Sequence, residues 1–437
     1  MAKPDRGGLA RWLRDSRTLF VLTSLAASAI VLGRSLVAMA SLGEADLGRV
    51  TLVQTAVLVL GLLQLGLWNG GYRLMCDGDA AQSAALNRMA WQFLGVVSAL
   101  ALVFLAVDGF DVGTLERRLL VAFGLFAGVA TLARTWVTNQ YLAQGDLGSL
   151  NRLGIISAVA SLVPLAAITI APLWAVVGSI ALHPLVFLVI ALWERRDFRP
   201  SSGALPSGLV RRALVTGFAL FATGLALQLA MVAERSFVTT TLGLDALGRL
   251  FLAYLYVPLF QLVPNAFEQI FLRRVVGAYG SGDTERTGRE IGTVFALTAV
   301  YCAVTVGLTL IAGPPVLTAL FPERAADFQF VQLLLPGLVL FTLASPLALM
   351  FNVRVTYAAY WLAYGSGTVL TIAVLLLASS NLLPLDLKGV TLLRSLAYAV
   401  TGLLLIGACV LAWRRWPEFR PRLGAYGSLT SSETPLR

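Results

Sequence analysis

The chain has little of what soluble enzymes use. Its only histidine is His183, and its three cysteines, Cys76, Cys302 and Cys409, lie far apart, so neither a disulfide framework nor a metal-ligand spacing follows. It contains no Ser/His/Asp set, phosphate-binding glycine loop or paired catalytic carboxylates, and lysine is nearly absent among its basic residues. Charge is scarce as well. Only 13% of the 437 residues are charged, where soluble domains carry about 25%. Apolar residues make up 58% and the mean hydropathy is +0.80, so the chain reads as a polytopic membrane protein. Its net charge of +10 is then better explained by basic loops at one membrane face than by nucleic acid.

A membrane crossing needs about 20 apolar residues. Twelve such runs are present, at roughly 18–40, 50–71, 88–107, 118–141, 153–171, 173–193, 214–240, 250–272, 290–312, 331–350, 357–378 and 389–412. Between the fifth and sixth, Pro172 supplies the break. The segments on the side of the termini hold 23 of the 33 Lys+Arg. The opposite side has Arg49, Arg117, Arg118, Arg249, Arg324 and Lys388. This bias predicts both termini in the cytoplasm. Arg11, Arg14, Arg17, the run Leu19 to Leu32 and Ala38-Met39-Ala40 imitate a secretory signal. Cleavage is not expected, because Arg34 intervenes and the repeat described next needs this span.

Leu42-Gly43-x3-Leu47-Gly48-Arg49 recurs as Leu242-Gly243-x3-Leu247-Gly248-Arg249, each copy lying between two apolar runs. A repeat at half the chain length indicates duplication. The expected organisation is a tail at 1–17, an N-lobe with helices 1–6 at 18–193, a linker at 194–212, a C-lobe with helices 7–12 at 213–412, and a tail at 413–437. Glu194 to Arg212, with Pro200-Ser201-Ser202-Gly203 and Pro206-Ser207-Gly208, has linker composition. Six spans per half give both repeats the same orientation, with a substrate site between the lobes. The longest loop opposite the termini, Gly313 to Phe330, leaves no room for a catalytic domain there.

Ionisable groups inside spans cost about 2.5–3.5 kcal/mol each at the centre, so they face a cavity or a partner. Here they are Arg34, Arg134, Glu234, Arg235, Glu268 and Arg394. For Arg34 and Arg394 the alternative is snorkelling to the interface. Polar stripes at helical spacing accompany them: Thr131, Arg134, Thr138 and Tyr141; Gln228, Arg235 and Thr239; Gln54, Gly61, Gln64 and Trp68; and Tyr254, Pro258, Gln261, Asn265 and Glu268. Any single Gln or Asn among these can equally be helix-to-helix glue. Together the stripes point to a hydrated central cavity. Tyr360 and Tyr364, one turn apart, are either a stacking surface for sugar rings or part of an interfacial belt. Glu234 and Glu268 are the candidates for H+ or Na+ coupling. Their alternatives are a charge pair of Glu234 with Arg235 and a solvated boundary position for Glu268. His183, preceding Pro184, reads as a buried neutral histidine.

The LGxxxLGR turn, the following span that closes in Leu65-Gly66-Leu67 and Tyr72-Arg73, the second copy at Leu242 to Arg249, and Tyr141-Leu142-x2-Gly145 together resemble Wzx-type polysaccharide flippases. These belong to the multidrug/oligosaccharidyl-lipid/polysaccharide (MOP) exporter superfamily. The motif-bearing part is about 70 residues. The resemblance implies an all-α fold, MATE/MOP-like, of two six-helix lobes around a cavity that opens alternately to each side. It implies transport of an undecaprenyl-pyrophosphate-linked oligosaccharide from the inner to the outer leaflet for surface polysaccharide biosynthesis, with no enzymatic activity and no cofactor. Expected partners are the lipid-linked glycan, membrane lipids, and a polysaccharide polymerase and chain-length regulator, with the chain itself a monomer. A cationic cavity is usual in the family, matched in kind by Arg34, Arg134 and Arg235. Pro258 and Pro264 depart from the glycine-ended helix of the first copy. The rivals are a drug or organic-cation antiporter, which would want a negative cavity, and a peptidoglycan-precursor flippase, which would have fourteen spans. A glycan polymerase or ligase would need a large outer loop.

Overall fold

A computed structural model describes residues 16–77, 80–108, 115–200, 203–354 and 358–415. The expected tails fall almost wholly outside them. Every regular element among the described residues is helical. The first half comprises α1 (Ser16–Ser41), α2 (Glu44–Leu62), α3 (Leu67–Asp77), α4 (Ala80–Asp108), α5 (Leu115–Gln144), α6 (Leu147–Ala160) and α7 (Pro172–Glu194). The second comprises α8 (Leu209–Phe237), α9 (Leu244–Arg249), α10 (Phe251–Gly280), α11 (Thr284–Leu320), α12 (Phe328–Leu347), α13 (Leu349–Arg354), α14 (Ala358–Ser379) and α15 (Leu387–Arg415). Among the described residues ten helices are long and apolar enough to cross a membrane. Over the other two expected spans lie α1, whose described apolar part Leu25–Ser41 is shorter, and α8. Large apolar side chains such as Val107 and Ile311 stand exposed, as surfaces facing lipid do.

The elements depart from the expected spans in three places. The run 50–71 is not one helix: Leu65 and Gly66 take φ of 47° and 88°, which ends α2 and restarts the chain as α3. Gly66 is required there, because a side chain would also meet the Gly217 backbone of α8 at 2.8 Å. The expected loop from Gly313 is helical as far as Leu320, with Pro314 and Pro315 inside α11. The linker does not hang free. Phe198 is buried edge-on against Tyr141, and its carbonyl accepts from Trp91 Nε1 at 2.8 Å. Asn87 Nδ2 donates to the carbonyls of Asp197 and Arg199. Composition marked the segment as polar, but one aromatic side chain and two side-chain amide and indole donors fasten it to the N-lobe.

The lobes meet along α2 and α3 on one side and α8 and α9 on the other. At the end away from the described termini, the two LGxxxLGR turns lie against each other. A Cβ on Gly48 would stand 2.9 Å from the carbonyl carbon of Leu244, and one on Gly248 would stand 2.7 Å from that of Glu44. Residues 44 and 244, like 48 and 248, are repeat equivalents, so this is a pseudo-two-fold contact. Arg324 of the C-lobe closes it further, donating to Leu42 O at 2.7 Å and standing 3.4 Å from Glu44. An apolar cluster with Met39, Leu47, Val53, Phe251 and Phe328 continues the closure inward. Nearer the termini, Gly66, Gly70 and Gly217 let α3 and α8 touch backbone to backbone. The side formed by α1 and α10 is far more sparsely joined.

Candidate functional site

Between the lobes lie two adjoining chambers. The central one, of about 500 Å³, draws its walls from α1, α2 and α7 of the N-lobe and α8, α10, α12 and α15 of the C-lobe. Arg34, Arg235, Arg394, Gln54, Gln261, Tyr254 and Tyr398 line it. The second, of about 430 Å³, is bounded mainly by α1, α5, α6 and α7 and contains Arg134, Thr138, Asn151 and His183. Val31, Leu255 and Pro258 belong to both walls.

The guanidiniums of the central chamber are deeply placed and thinly satisfied. Arg34, 8% exposed, donates to Ser179 O at 3.2 Å. Arg235, 5% exposed, donates from Nη1 to Thr55 Oγ1 at 3.3 Å, while its Nε has no partner. Arg394 donates from Nε to Glu234 Oε2 at 2.7 Å and leaves Nη2 unpartnered. Tyr254 donates to the other carboxylate oxygen at 3.0 Å, and its ring carries Arg235 at 4.7 Å and Arg394 at 4.5 Å. Arg394 thus pairs with the one buried carboxylate, Arg235 shares the Tyr254 ring with it, and Arg34 lines the same chamber with only a backbone carbonyl as partner. A buried charge without a partner costs several kcal/mol; the two guanidiniums in excess are a standing demand for an anion.

Local sequence explains the placement. Glu234 and Arg235 are adjacent on α8 and diverge by about 100°, so they do not pair with each other. Glu234 turns toward α15 and Tyr254, and Arg235 toward α2. The charge pair of Glu234 is therefore made with Arg394 and not, as in the alternative reading, with Arg235. Arg394 is buried, not snorkelling. Charge balance was the available signal for it: a mid-span glutamate needs a cation, and α15 carries one.

The remaining predicted residues are dispersed. Gln54 and Gln261 line the central chamber and Arg134 the second one. Gln64 lies at the α2–α3 break and Gln228 within α8, each with a buried oxygen lacking a donor. Asn265 is exposed. Tyr360 donates to Ala348 O and, with Tyr364, Phe351 and Phe341, forms an aromatic stack within the C-lobe. Neither tyrosine is among the residues lining the two chambers. Glu268 stands beside the Ser345 hydroxyl with one carboxylate oxygen buried and unpartnered. Trp68, read as part of a wet stripe, is fully buried and donates to Leu132 O at 2.8 Å. Among the described residues no group of three His, Cys, Asp or Glu side chains could hold a metal. Arg49 and Arg249 are held at the far end by Asp46 and Asp327.

No family model matches the chain, and no curated protein sequence matches it. Solved structures do. A multidrug resistance MATE family transporter of the MOP superfamily, in an inward-facing conformation, aligns with a TM-score of 0.68 at 14% identity, over 90% of this chain and 98% of that one. The lipid II flippase MurJ, inward closed, aligns at 0.69 with 12% identity, over 89% and 87%. A MOP superfamily transporter from Pyrococcus furiosus, described by a binding pocket of reverse polarity, aligns at 0.60 with 15% identity, over 94% and 98%. The chain is similar to these in fold: an all-helical, multi-pass transporter architecture.

Proposed function

We propose that the chain is a flippase carrying an undecaprenyl-pyrophosphate-linked oligosaccharide from the inner to the outer leaflet of the bacterial cytoplasmic membrane, for surface polysaccharide synthesis. The observation that carries this reading is the central chamber, which Arg34, Arg235 and Arg394 line from both lobes with only Arg394 paired to a carboxylate. A guanidinium fork fits phosphate oxygens and holds its charge under all conditions. Gln54 and Gln261 offer hydrogen bonds to sugar hydroxyls. The weakly joined side between α1 and α10 gives the polyprenyl tail a path that never leaves lipid. Rocking of the lobes then alternates access.

A drug or organic-cation antiporter, the other reading on this fold, would place its excess charge the other way, and a P. furiosus relative described by reversed pocket polarity is a precedent for departing from it. We assign H+ or Na+ coupling to Glu268 in preference to Glu234, whose two oxygens are occupied by Arg394 and Tyr254. Both termini in the cytoplasm, monomeric action, and work beside a polymerase and a chain-length regulator belong to the same reading.

The test uses the full chain in proteoliposomes and the leaflet accessibility of a polyprenyl-pyrophosphate glycan. Arg34→Ala, Arg134→Ala and Arg235→Ala are each expected to slow flipping by tenfold or more, since hydrogen bonds to charged groups contribute about 1.5–3 kcal/mol each. Full transport by all three at normal protein levels would refute the cationic cavity.

A further inference from the structure

A groove runs between α11 and α12 of the C-lobe, apart from both chambers. We propose that it binds a membrane phospholipid with a hydrogen-bond-donating ammonium headgroup of the ethanolamine type, one acyl chain lying along the groove. The site stands independently of the transport reading; only the leaflet it faces follows from the orientation proposed above.

The two helices are neighbours that run in opposite directions, joined by residues 321–327. Ala299 and Ala303 on α11, facing Val339 and Leu343 on α12, leave a groove of about 460 Å³. Leu310 and Gln332 line it at the end nearer the connecting turn, and Ala299 and Leu343 at the other. At 1.5 Å per residue this length is about 16 Å. The hydrocarbon core of a bilayer is about 30 Å thick, so the groove spans one leaflet. Just above it the Phe328 ring takes the space of a side chain on Gly313, where a Cβ would stand 2.8 Å from Cε2.

The end near the turn has acceptors that the helices do not satisfy. Gln332 and Pro336 lie one turn apart on the groove wall, and the Gln332 carbonyl is directed along the helix at Pro336, which has no N–H to give it. The next N–H along, that of Gly337, is spent on Ser395 Oγ at 3.1 Å. Leu310, 46% exposed, is placed alike on α11, because Pro314 and Pro315 follow it at four and five residues. Lipid tails offer no donor to such carbonyls. The Gln332 amide is exposed beside them and makes no hydrogen bond among the described residues. Two carbonyls call for an N–H donor, and the amide NH2 calls for an acceptor. An ethanolamine phospholipid brings both, as ammonium and phosphate, at the top of a chain one leaflet long. A polyprenyl pyrophosphate brings only acceptors to this end, and a trimethylated ammonium has no N–H. A helix of a second copy has spent its backbone donors on itself.

The full-length protein in detergent is titrated with dioleoyl phosphatidylethanolamine, the phosphatidylcholine with the same chains, and polyprenyl pyrophosphate, and bound lipids are counted by native mass spectrometry. The first ethanolamine lipid is expected to bind about tenfold more tightly than the first choline lipid, the factor that one charge-assisted hydrogen bond supplies. Pro336→Ala returns an N–H to the Gln332 carbonyl and should shrink that preference to about twofold or less without weakening the choline lipid. Gln332→Leu should weaken both lipids, and Ala303→Trp, which fills the groove, should remove the first bound lipid altogether. Positions 303, 332 and 336 are exposed, so these variants leave the packed core of the lobe intact. Equal wild-type affinity for the two phospholipids overturns the headgroup assignment, and a first lipid that survives Ala303→Trp overturns the groove. Tighter binding of polyprenyl pyrophosphate than of the ethanolamine lipid, or a dimer mass, that Ala303→Trp abolishes would give the groove to the substrate tail or to a second copy, and either overturns the proposal.

Discussion

Gly248→Ala should push the far end of the molecule open. A methyl group there would stand 2.7 Å from the carbonyl carbon and 3.0 Å from the Cα of Glu44, whereas ordinary contact begins at 3.4 Å. The nearest obstacle is the Glu44 carbonyl oxygen, closer still and part of the backbone, so no rotamer change relieves it; α2 and α9 must separate by more than the roughly 0.7 Å that the carbonyl carbon alone requires. Overpacking of this kind costs about 1–3 kcal/mol, and 1.4 kcal/mol is tenfold in a population. A state closed at this end would lose roughly 5- to 150-fold against one open there. Gly48→Ala meets Leu244 in the equivalent way, at 2.9 Å, and should act in the same direction. Gly43→Ala is the control, since nothing lies within 4 Å of its Cβ position and its φ of −69° suits any residue. The assay is pulsed electron resonance between spin labels at Ala45→Cys and Asp245→Cys in a Cys76→Ser background. Longer distances are expected for Gly248→Ala and Gly48→Ala but not for Gly43→Ala. Wild-type distance distributions in both variants would refute the assignment of this contact as a closed gate.

Other perturbations address separate parts of the structure. Arg324→Ala removes the donor to Leu42 O and the partner of Glu44, so labels at the same two sites should separate, and less in Glu44→Ala alone because that residue is partly exposed. Glu234→Gln leaves Arg394 buried without its counter-ion, which should destabilise the fold by about 3–5 kcal/mol; a lowered thermal midpoint that Glu234→Gln/Arg394→Gln partly restores is the expected signature. Phe198→Ala empties a fully buried site against Tyr141, at a cost of about 3–5 kcal/mol, and should speed amide exchange across 195–200. The Arg195 guanidinium hydrogen-bonds Asp197 and holds its carboxyl below the usual range. Its contribution is therefore complete above the unfolded value of about 4 and is lost as pH falls through the lower folded value. The pair is partly exposed, so the protection of the same amides, with rates corrected for the intrinsic pH dependence of exchange, should change only slightly between pH 7 and 5 and fall only as pH drops well below about 4.

Hydropathy made the order of the spans legible, and ten of the twelve expected among the described residues, because lipid exposure demands long apolar runs whatever the packing. The helix break at Leu65-Gly66 was hidden for the same reason: both residues are apolar, and the break shows only in their positive φ and in the backbone contact of Gly66 with Gly217 of α8, a distant part of the sequence. Intramembrane arginines were visible as costs, which is why Arg34, Arg134 and Arg235 stood out. Their partners were not visible, because pairing depends on helix rotation. A rotation of one residue separates Glu234, engaged with Arg394, from Arg235, engaged with Thr55. Polar stripes identified wet faces only where the helix borders a chamber. Gln54 and Gln261 do so, whereas Trp68 and Tyr360 spend their polar atoms on backbone carbonyls inside a lobe.

The repeat itself separates frame from chemistry. At an offset of 200, Gly48 matches Gly248, and these two make reciprocal backbone contacts between the lobes. A contact across a pseudo-two-fold axis constrains both copies equally, so the glycines persist together. The lining obeys no such constraint: at the same offset Arg34 matches Glu234 and Gln54 matches Tyr254. A ligand with a charged head, a sugar part and a tail has no two-fold symmetry, and a chamber that reads it must differ between its walls. Symmetrising the lining therefore tests recognition apart from gating. Gln54→Tyr places the C-lobe residue in the N-lobe wall, away from every gate contact. It should lower the affinity for the lipid-linked glycan while leaving the Ala45–Asp245 distances unchanged, and a shift in those distances would show that chamber and gate are not separable.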